Sequence, residues 1–99
     1  MQKNKLLNAI GMAYSSRNLT TGSKLLDQIK ENKIELVIIS SNMGLSQKKK
    51  FIDKCNSRNI EYISDLITKE ELSKACGKAM VVAVGLKDLN FIKLIKSTL

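Results

Sequence analysis

The segment Thr20-Thr21-Gly22-Ser23-Lys24 is the part of the sequence best suited to contacting a ligand. It joins a short strand-like stretch to a helical pattern, and the first N–H groups of a helix have no partner within the helix. Glycine would allow a phosphate backbone to approach closely, Ser23 would form a hydrogen bond, and Lys24 would add a positive charge. The alternative is an ordinary turn whose helix is capped by Ser or Thr. Neither G-x-x-x-x-G-K-[ST] nor G-x-G-x-x-G occurs in the chain, so the sequence does not support nucleotide binding by those loops.

The composition excludes most catalytic chemistry. The chain has no His, which removes imidazole bases, Ser-His-Asp and Cys-His nucleophiles and most zinc sites. The adjacent pair Glu70-Glu71 would point about 100° apart on a helix, so it is not a convergent acid pair. Cys55 and Cys76 form no C-x-x-C and fall on apolar helical stripes, which predicts buried thiols; a disulfide or redox role is the alternative. We therefore expect no enzyme, no metal, no cofactor and no small-molecule substrate.

The chain is strongly basic, with 17 Lys and Arg against 9 Asp and Glu, a net charge of +8. Residues 1–34, 35–65 and 66–99 carry +4, +1 and +3. Such a domain typically meets a polyanion, of which nucleic acid is the commonest, although a lysine-rich surface can also serve solubility alone. The run Lys48-Lys49-Lys50 opens a predicted helix, where positive charge opposes the helix dipole; it is a polyanion contact or a solvated face.

Aromatic side chains are too few for recognition of single strands by base stacking. The four are Tyr14, Phe51, Tyr62 and Phe91, and three of them fall on apolar stripes or strands. A basic domain without stacking platforms is better suited to a structured RNA, which it would contact through phosphates, groove edges and shape.

Hydrophobic periodicity predicts five amphipathic helices separated by four short strands at residues 19–21, 36–40, 60–63 and 80–84. Two strands are continuously apolar, which is typical of a sheet covered by helices on both faces. The fold class is therefore α/β, a three-layer α-β-α sandwich with a four-stranded mixed sheet, and we expect one domain over residues 1–99. Thr68 and Glu71 predict a capping box at the fourth helix, and Gly77 its C-terminal cap.

The N-terminus lacks the apolar run of a secretory signal, and the longest apolar runs are far shorter than the ~20 residues needed to span a bilayer. We therefore expect a cytoplasmic protein without membrane contact.

Taken in order, residues 8–13, 19–22, 36–40, 54–56, 71–78 and 81–84 resemble the kink-turn RNA-binding ribosomal-protein superfamily, and most of all its small bacterial, YlxQ-like branch. The similarity covers nearly the whole chain. It implies an α-β-α sandwich that binds a kink-turn, a sharply bent RNA element, without catalysing a reaction.

The resemblance also implies where the RNA contacts lie. In this chain they correspond to the start of the second helix and to the loop before the last strand, at one end of the sheet. Where the family reads roughly [TS]-N-E-x-T-K after the glycine, this chain reads Ser-Lys-Leu-Leu-Asp-Gln. Lysines would still contact phosphates, because a flexible ammonium needs little geometric precision. The expected RNA-binding residues are Gly22, Ser23, Lys24, Leu25, Gln28, Lys74, Gly77, Lys78, Ala79 and Met80.

The function expected from these observations is a monomeric, non-catalytic RNA-binding protein that acts on a kink-turn or other ribosomal RNA. The alternative is a protein–protein adaptor that contacts ribosome-associated or regulatory proteins and has lost RNA recognition. An exposed apolar patch around Leu25 and Met80 would favour the adaptor.

Overall fold

The four apolar residues Leu36–Ile39 form a strand that is buried on both of its faces. This strand lies inside a four-stranded sheet of order β1-β4-β2-β3, in a computed structural model that describes residues 2–99. The strands are β1 Leu19–Thr21, β2 Leu36–Ile39, β3 Glu61–Ile63 and β4 Ala83–Leu86; the helices are α1 Lys3–Ser15, α2 Ser23–Lys30, α3 Leu45–Ser57, α4 Lys69–Cys76 and α5 Leu89–Lys96. Strand β4 is antiparallel to both β1 and β2, and β2 is parallel to β3, so the sheet is mixed as predicted.

Alternating side chains of β2 divide the core into two halves. Leu36 and Ile38 pack with buried residues of α1, α4 and α5, whereas Val37 and Ile39 pack with those of α2 and α3. Because successive strand residues point to opposite faces, one apolar strand supplies both halves of the core. The predicted three-layer sandwich with five helices is confirmed.

Gly85 in β4 allows helix α2 to approach the sheet closely. A Cβ at this position would lie 2.5 Å from Leu25 Cδ1 and 3.0 Å from Ile34 Cδ1, distances that exclude any larger side chain without movement. Helix α2 therefore packs directly over the backbone of β4.

Helix α4 begins and ends as its sequence predicts. The Glu71 N–H donates to Thr68 Oγ1 (3.1 Å), and the Thr68 N–H donates to Glu71 Oε1 (2.9 Å), which completes the capping box. Gly77 ends the helix in the left-handed conformation, with φ 66° and ψ 30°. Both cysteines are buried and unpaired, as expected.

The last strand begins at Ala83 rather than at Met80, so the prediction of a strand over 80–84 is wrong at its start. Val81 is buried, but its N–H donates to the Ser73 hydroxyl (2.7 Å), which donates in turn to the Val81 carbonyl (3.3 Å). These bonds hold residues 77–82 as a loop against α4, since the backbone of Val81 pairs with a side chain instead of a strand.

The run of three lysines also differs in position from the prediction. Helix α3 begins at Leu45, so Lys48 lies in the helix rather than at its first residue. Its ammonium is 2.6 Å from the Asp65 carboxylate, whose negative charge offsets part of the unfavourable interaction between Lys48 and the helix dipole.

No helix within residues 2–99 is long and apolar enough to cross a membrane.

Candidate nucleic-acid interface

The register of the sheet brings the two predicted contact segments to one end of the molecule. Thr21, the last residue of β1, pairs with Val84, the second residue of β4. One step further along this antiparallel ladder, Gly22 comes level with Ala83, next to the end of the 77–82 loop. The start of α2 and the loop before β4 therefore lie at the same end of the sheet, as the resemblance implied.

Gly22 adopts a backbone conformation that only glycine tolerates well, with φ 71° and ψ −151°. It precedes α2 directly, and no side chain within the described residues 2–99 caps that helix. The alternative of a Ser or Thr cap is therefore wrong. Because Gly22, Ser23 and Lys24 are all exposed, the first N–H groups of α2 face solvent beside a hydroxyl and an ammonium. An anionic oxygen is the ligand that such a group of donors accepts best.

Two of the predicted residues on α2 point elsewhere. The Leu25 side chain is 1% exposed and belongs to the core between α2 and the sheet, so it positions the helix and offers no ligand contact. Gln28 is half-buried, and its Oε1 accepts a hydrogen bond from Thr20 Oγ1 of β1 (2.9 Å).

The second segment forms a shallow hollow between α4 and the 77–82 loop. Lys74, Lys78, Ala79 and Met80 line it together, and all four are exposed. The Lys78 ammonium lies 5.8 Å from the centre of the Tyr14 ring, so this lysine turns toward α1. A cation–π contact at an exposed site contributes only about 0.5–1 kcal/mol, so a phosphate can draw the side chain away.

The turn between β2 and α3 reaches the same end of the molecule, and sequence analysis did not assign it to the site. The Asn42 side chain donates to Glu70 Oε1 (2.7 Å) and accepts the Lys69 N–H (2.8 Å), which joins this turn to the start of α4. Next to the turn, Leu45 is 86% exposed at the first position of α3. The turn signal of Asn42-Met43-Gly44 was visible in the sequence, but the tie between Asn42 and α4 depends on tertiary structure.

Three carboxylates around this end are held in the charged form. The pKa of Glu70 is lowered mainly by the hydrogen bond from Asn42, and that of Asp65 by the hydrogen bond and charge of Lys48. The pKa of Glu71 is lowered first by Lys3, whose Nζ is 2.7 Å away, and then by the Thr68 N–H. These acids are engaged in structural contacts, and none of them pairs with Lys24, Lys74 or Lys78 within residues 2–99.

The described part of the chain, residues 2–99, contains no group of three or more His, Cys, Asp and Glu side chains that would hold a metal ion. Burial raises the pKa of both the Cys55 and the Cys76 thiol to about 11, so neither is a ready nucleophile. The groups that this surface offers are ammonium ions, hydroxyls and backbone N–H donors, which bind anions.

Two solved structures share the fold. A protein of unknown function from Bacillus halodurans is 33% identical, with a TM-score of 0.86 and 95% of each chain covered. The Giardia lamblia 15.5 kD RNA binding protein is 18% identical, with a TM-score of 0.74 over 98% of this chain and 87% of that one. No curated protein matches the sequence. The model of the ribosomal protein L7Ae/L30e/S12e/Gadd45 family matches residues 4–95, nearly the entire chain. The protein therefore belongs to the ribosomal protein L7Ae/L30e/S12e/Gadd45 family.

Proposed function

We propose that this chain is a non-catalytic RNA-binding protein that recognises a kink-turn or another sharply bent, structured RNA. Membership of a ribosomal-protein family and the fold shared with the Giardia lamblia RNA-binding protein support this function. The observation that carries it furthest is the pairing of Thr21 with Val84, which brings the uncapped start of α2 and the 77–82 loop to one end of the sheet.

Phosphate contacts supply most of the affinity in this proposal. The start of α2 contributes Ser23, Lys24 and the open N–H groups after Gly22, and the α4 side contributes Lys74 and Lys78. Gly77 ends α4 in the left-handed conformation at the start of the loop, and Ala79 lines the hollow beside Lys74 and Lys78. One phosphate neutralised by each of Lys24, Lys74 and Lys78 would give a slope of log affinity against log salt concentration of about −3.

Shape provides the selectivity. Lysines bind phosphates of any sequence, so they distinguish RNAs only through where the phosphates lie. Two donor surfaces at a fixed separation favour an RNA whose backbone bends to meet both. The exposed side chains of Met80 (65% exposed) and Leu45 (86% exposed) at this end would pack against ribose or an unstacked base at the bend.

The test is a binding titration with a kink-turn RNA and a straight duplex of equal length and charge, each at several salt concentrations. We expect the kink-turn RNA to bind more tightly and to keep that advantage at high salt. Lys24→Ala and Lys78→Ala should each weaken binding and reduce the salt slope by about 1. Lys93→Ala is the matched control, because Lys93 is an exposed lysine of α5 outside the proposed surface.

Equal affinity for the two RNAs, lost together as salt rises, would contradict shape recognition. Unchanged affinity in both Lys24→Ala and Lys78→Ala would show that the surface is misplaced. The adaptor alternative has weaker support in the structure, because Leu25, one of the two residues expected in an exposed apolar patch, is buried. We propose further that the protein acts as a monomer in the cytoplasm, without a cofactor or small-molecule substrate.

A further inference from the structure

Helix α3 and its C-terminal cap carry half of the net charge of the protein. Residues 45–58 hold five basic side chains and one acidic side chain, a charge of +4 out of +8. The proposed RNA surface at the sheet edge uses none of these five. The concentration of charge on one outer helix therefore needs its own explanation.

Three of the basic residues, Lys50, Lys54 and Arg58, lie four residues apart and so share one face of the helix. The buried residues Phe51 and Cys55 pack α3 against the sheet, and the row lies beside that packed face, with Lys50 and Arg58 exposed and Lys54 half-buried. At 1.5 Å per residue the three positions extend over about 12 Å. We call Lys50, Lys54 and Arg58 the α3 strip.

The α3 strip has no acidic partners within the protein. Four ion pairs occur among residues 2–99, and the only one that involves α3 is that between Lys48 and Asp65. Asp53, the one acid on the helix, forms no ion pair in the same range. Three cations held in a row repel one another, and the helix dipole favours only the two at the C-terminal end, Lys54 and Arg58.

The chemistry around the strip favours RNA over an acidic protein. Protein interfaces need an apolar centre, whereas nucleic-acid interfaces are polar and positively charged. The exposed neighbours on the helix are polar, namely Gln47, Asp53, Asn56 and Ser57. The one exposed apolar residue of α3, Leu45, lies at the other end of the helix beside the sheet edge.

The strip lies on the helix whose first residues reach the end of the sheet that carries the proposed RNA surface. Strands β1 and β2 are both antiparallel to β4, so they are parallel to each other and end at the same edge of the sheet. Helix α3 starts just after β2 and runs away from that edge. An RNA arm that leaves the sheet edge over the α2 and α3 layer would follow the strip.

We propose that the α3 strip is a second phosphate-binding surface, which holds a helical arm of the RNA whose bend is bound at the sheet edge. This inference rests on the proposed function. The partner would be double-helical RNA, and the side chains of the strip would contact its phosphate oxygens. The bend would supply recognition, and the arm would supply further affinity.

The experiment compares wild type with the triple variant Lys50→Gln, Lys54→Gln, Arg58→Gln. The matched control is Lys5→Gln, Lys87→Gln, Lys93→Gln, which removes the same charge from three exposed lysines outside α2, α3 and the sheet edge. Each protein is titrated with a kink-turn RNA with shortened arms and with the same RNA after one arm is extended by a helical turn. Urea unfolding confirms that both variants remain folded.

We expect the α3 variant to bind the short RNA nearly as wild type does, and to lose most of the affinity gained from the extended arm. Its salt slope on the extended RNA should fall by about 2 to 3, and that of the control by less than 1. Equal losses in the two variants would overturn the inference, because net charge would then explain them. Wild-type affinity of the α3 variant for the extended RNA would overturn it too, and would leave the strip open to an acidic protein. A wild type that binds neither RNA would instead refute the proposed function itself.

Discussion

Substitution of Gly22 by Asn tests whether the start of α2 depends on a backbone conformation reserved for glycine. Gly22 and Gly77 both have positive φ, 71° and 66°, and a Cβ added at either position meets no atom within 4 Å. Steric contact with the rest of the protein therefore contributes nothing at either site, and only the local backbone energy differs. The two glycines thus form a matched pair.

The difference lies in ψ. Gly77 has ψ 30°, in the left-handed helical region that Asn adopts readily, whereas Gly22 has ψ −151°, in a region that is essentially restricted to glycine. We expect Gly22→Asn to lower the free energy of unfolding by about 1–3 kcal/mol. Gly77→Asn should lower it by less than about 1 kcal/mol, because Asn is the usual replacement for glycine at a helix C-terminus.

Urea unfolding measures both values, and thermal unfolding provides a second measurement. For a domain of this size, a loss of 2 kcal/mol corresponds to a decrease in Tm of roughly 8–16 °C. If the strained turn also directs the N–H groups of α2 toward RNA, Gly22→Asn should weaken kink-turn binding more than Gly77→Asn does, measured well below both Tm values. Equal losses of stability in the two variants would refute the conformational argument.

Three further predictions follow from contacts elsewhere in the chain. Gly85→Ala should destabilise the fold by about 1–3 kcal/mol, because its Cβ would lie 2.5 Å from Leu25 Cδ1; an unchanged urea midpoint would contradict this. The hydrogen bond from Lys3 lowers the pKa of Glu71 from 4.5 in the folded protein, so the Glu71 carboxylate stabilises the fold above pH 4.5. This stabilisation is lost as the pH falls through the lowered pKa. In Glu71→Gln, the free energy of unfolding measured in urea should therefore decrease less between about pH 5 and lower pH than it does in wild type. Burial raises the pKa of both cysteine thiols to about 11, so a thiol reagent at pH 8 should react only after urea unfolds the protein.

Most of the fold could be predicted from the sequence because its signals are local. The helical spacing of apolar residues, the strand Leu19–Thr21, and the cap formed by Thr68 and Glu71 each depend on residues close together in the chain. The start of β4 could not be predicted in this way. The run from Met80 to Val84 is apolar throughout, but Val81 pairs with the Ser73 hydroxyl, eight residues away, so a loop that buries Val81 carries the sequence pattern of a strand.

In the candidate site too, some features could be predicted from nearby residues and others depend on tertiary structure. Exposure of Ser23 and Lys24 could be expected from their place at a helix start, and the burial of Leu25 was already indicated by its spacing of four residues from Ile29. Inclusion of Leu25 among the contacts came from the resemblance rather than from that spacing. The bond between Thr20 and Gln28 crosses from strand to helix, so only the tertiary structure reveals it.

Under the proposed function, selectivity for a bent RNA depends on the distances between the two surfaces, since a lysine can bind any phosphate. In this protein those distances are set by contacts within the fold. The pairing of Thr21 with Val84 fixes how far the 77–82 loop lies from Gly22, and the contact of Leu25 with Gly85 fixes how closely α2 sits on the sheet. Under the proposed function, a chain whose residues after the glycine depart from the pattern of the resemblance would still hold two phosphate-binding surfaces at the separation that a bent RNA requires. Core substitutions at Gly85 or Leu25 would then alter discrimination between bent and straight RNA while leaving the net charge of +8 unchanged.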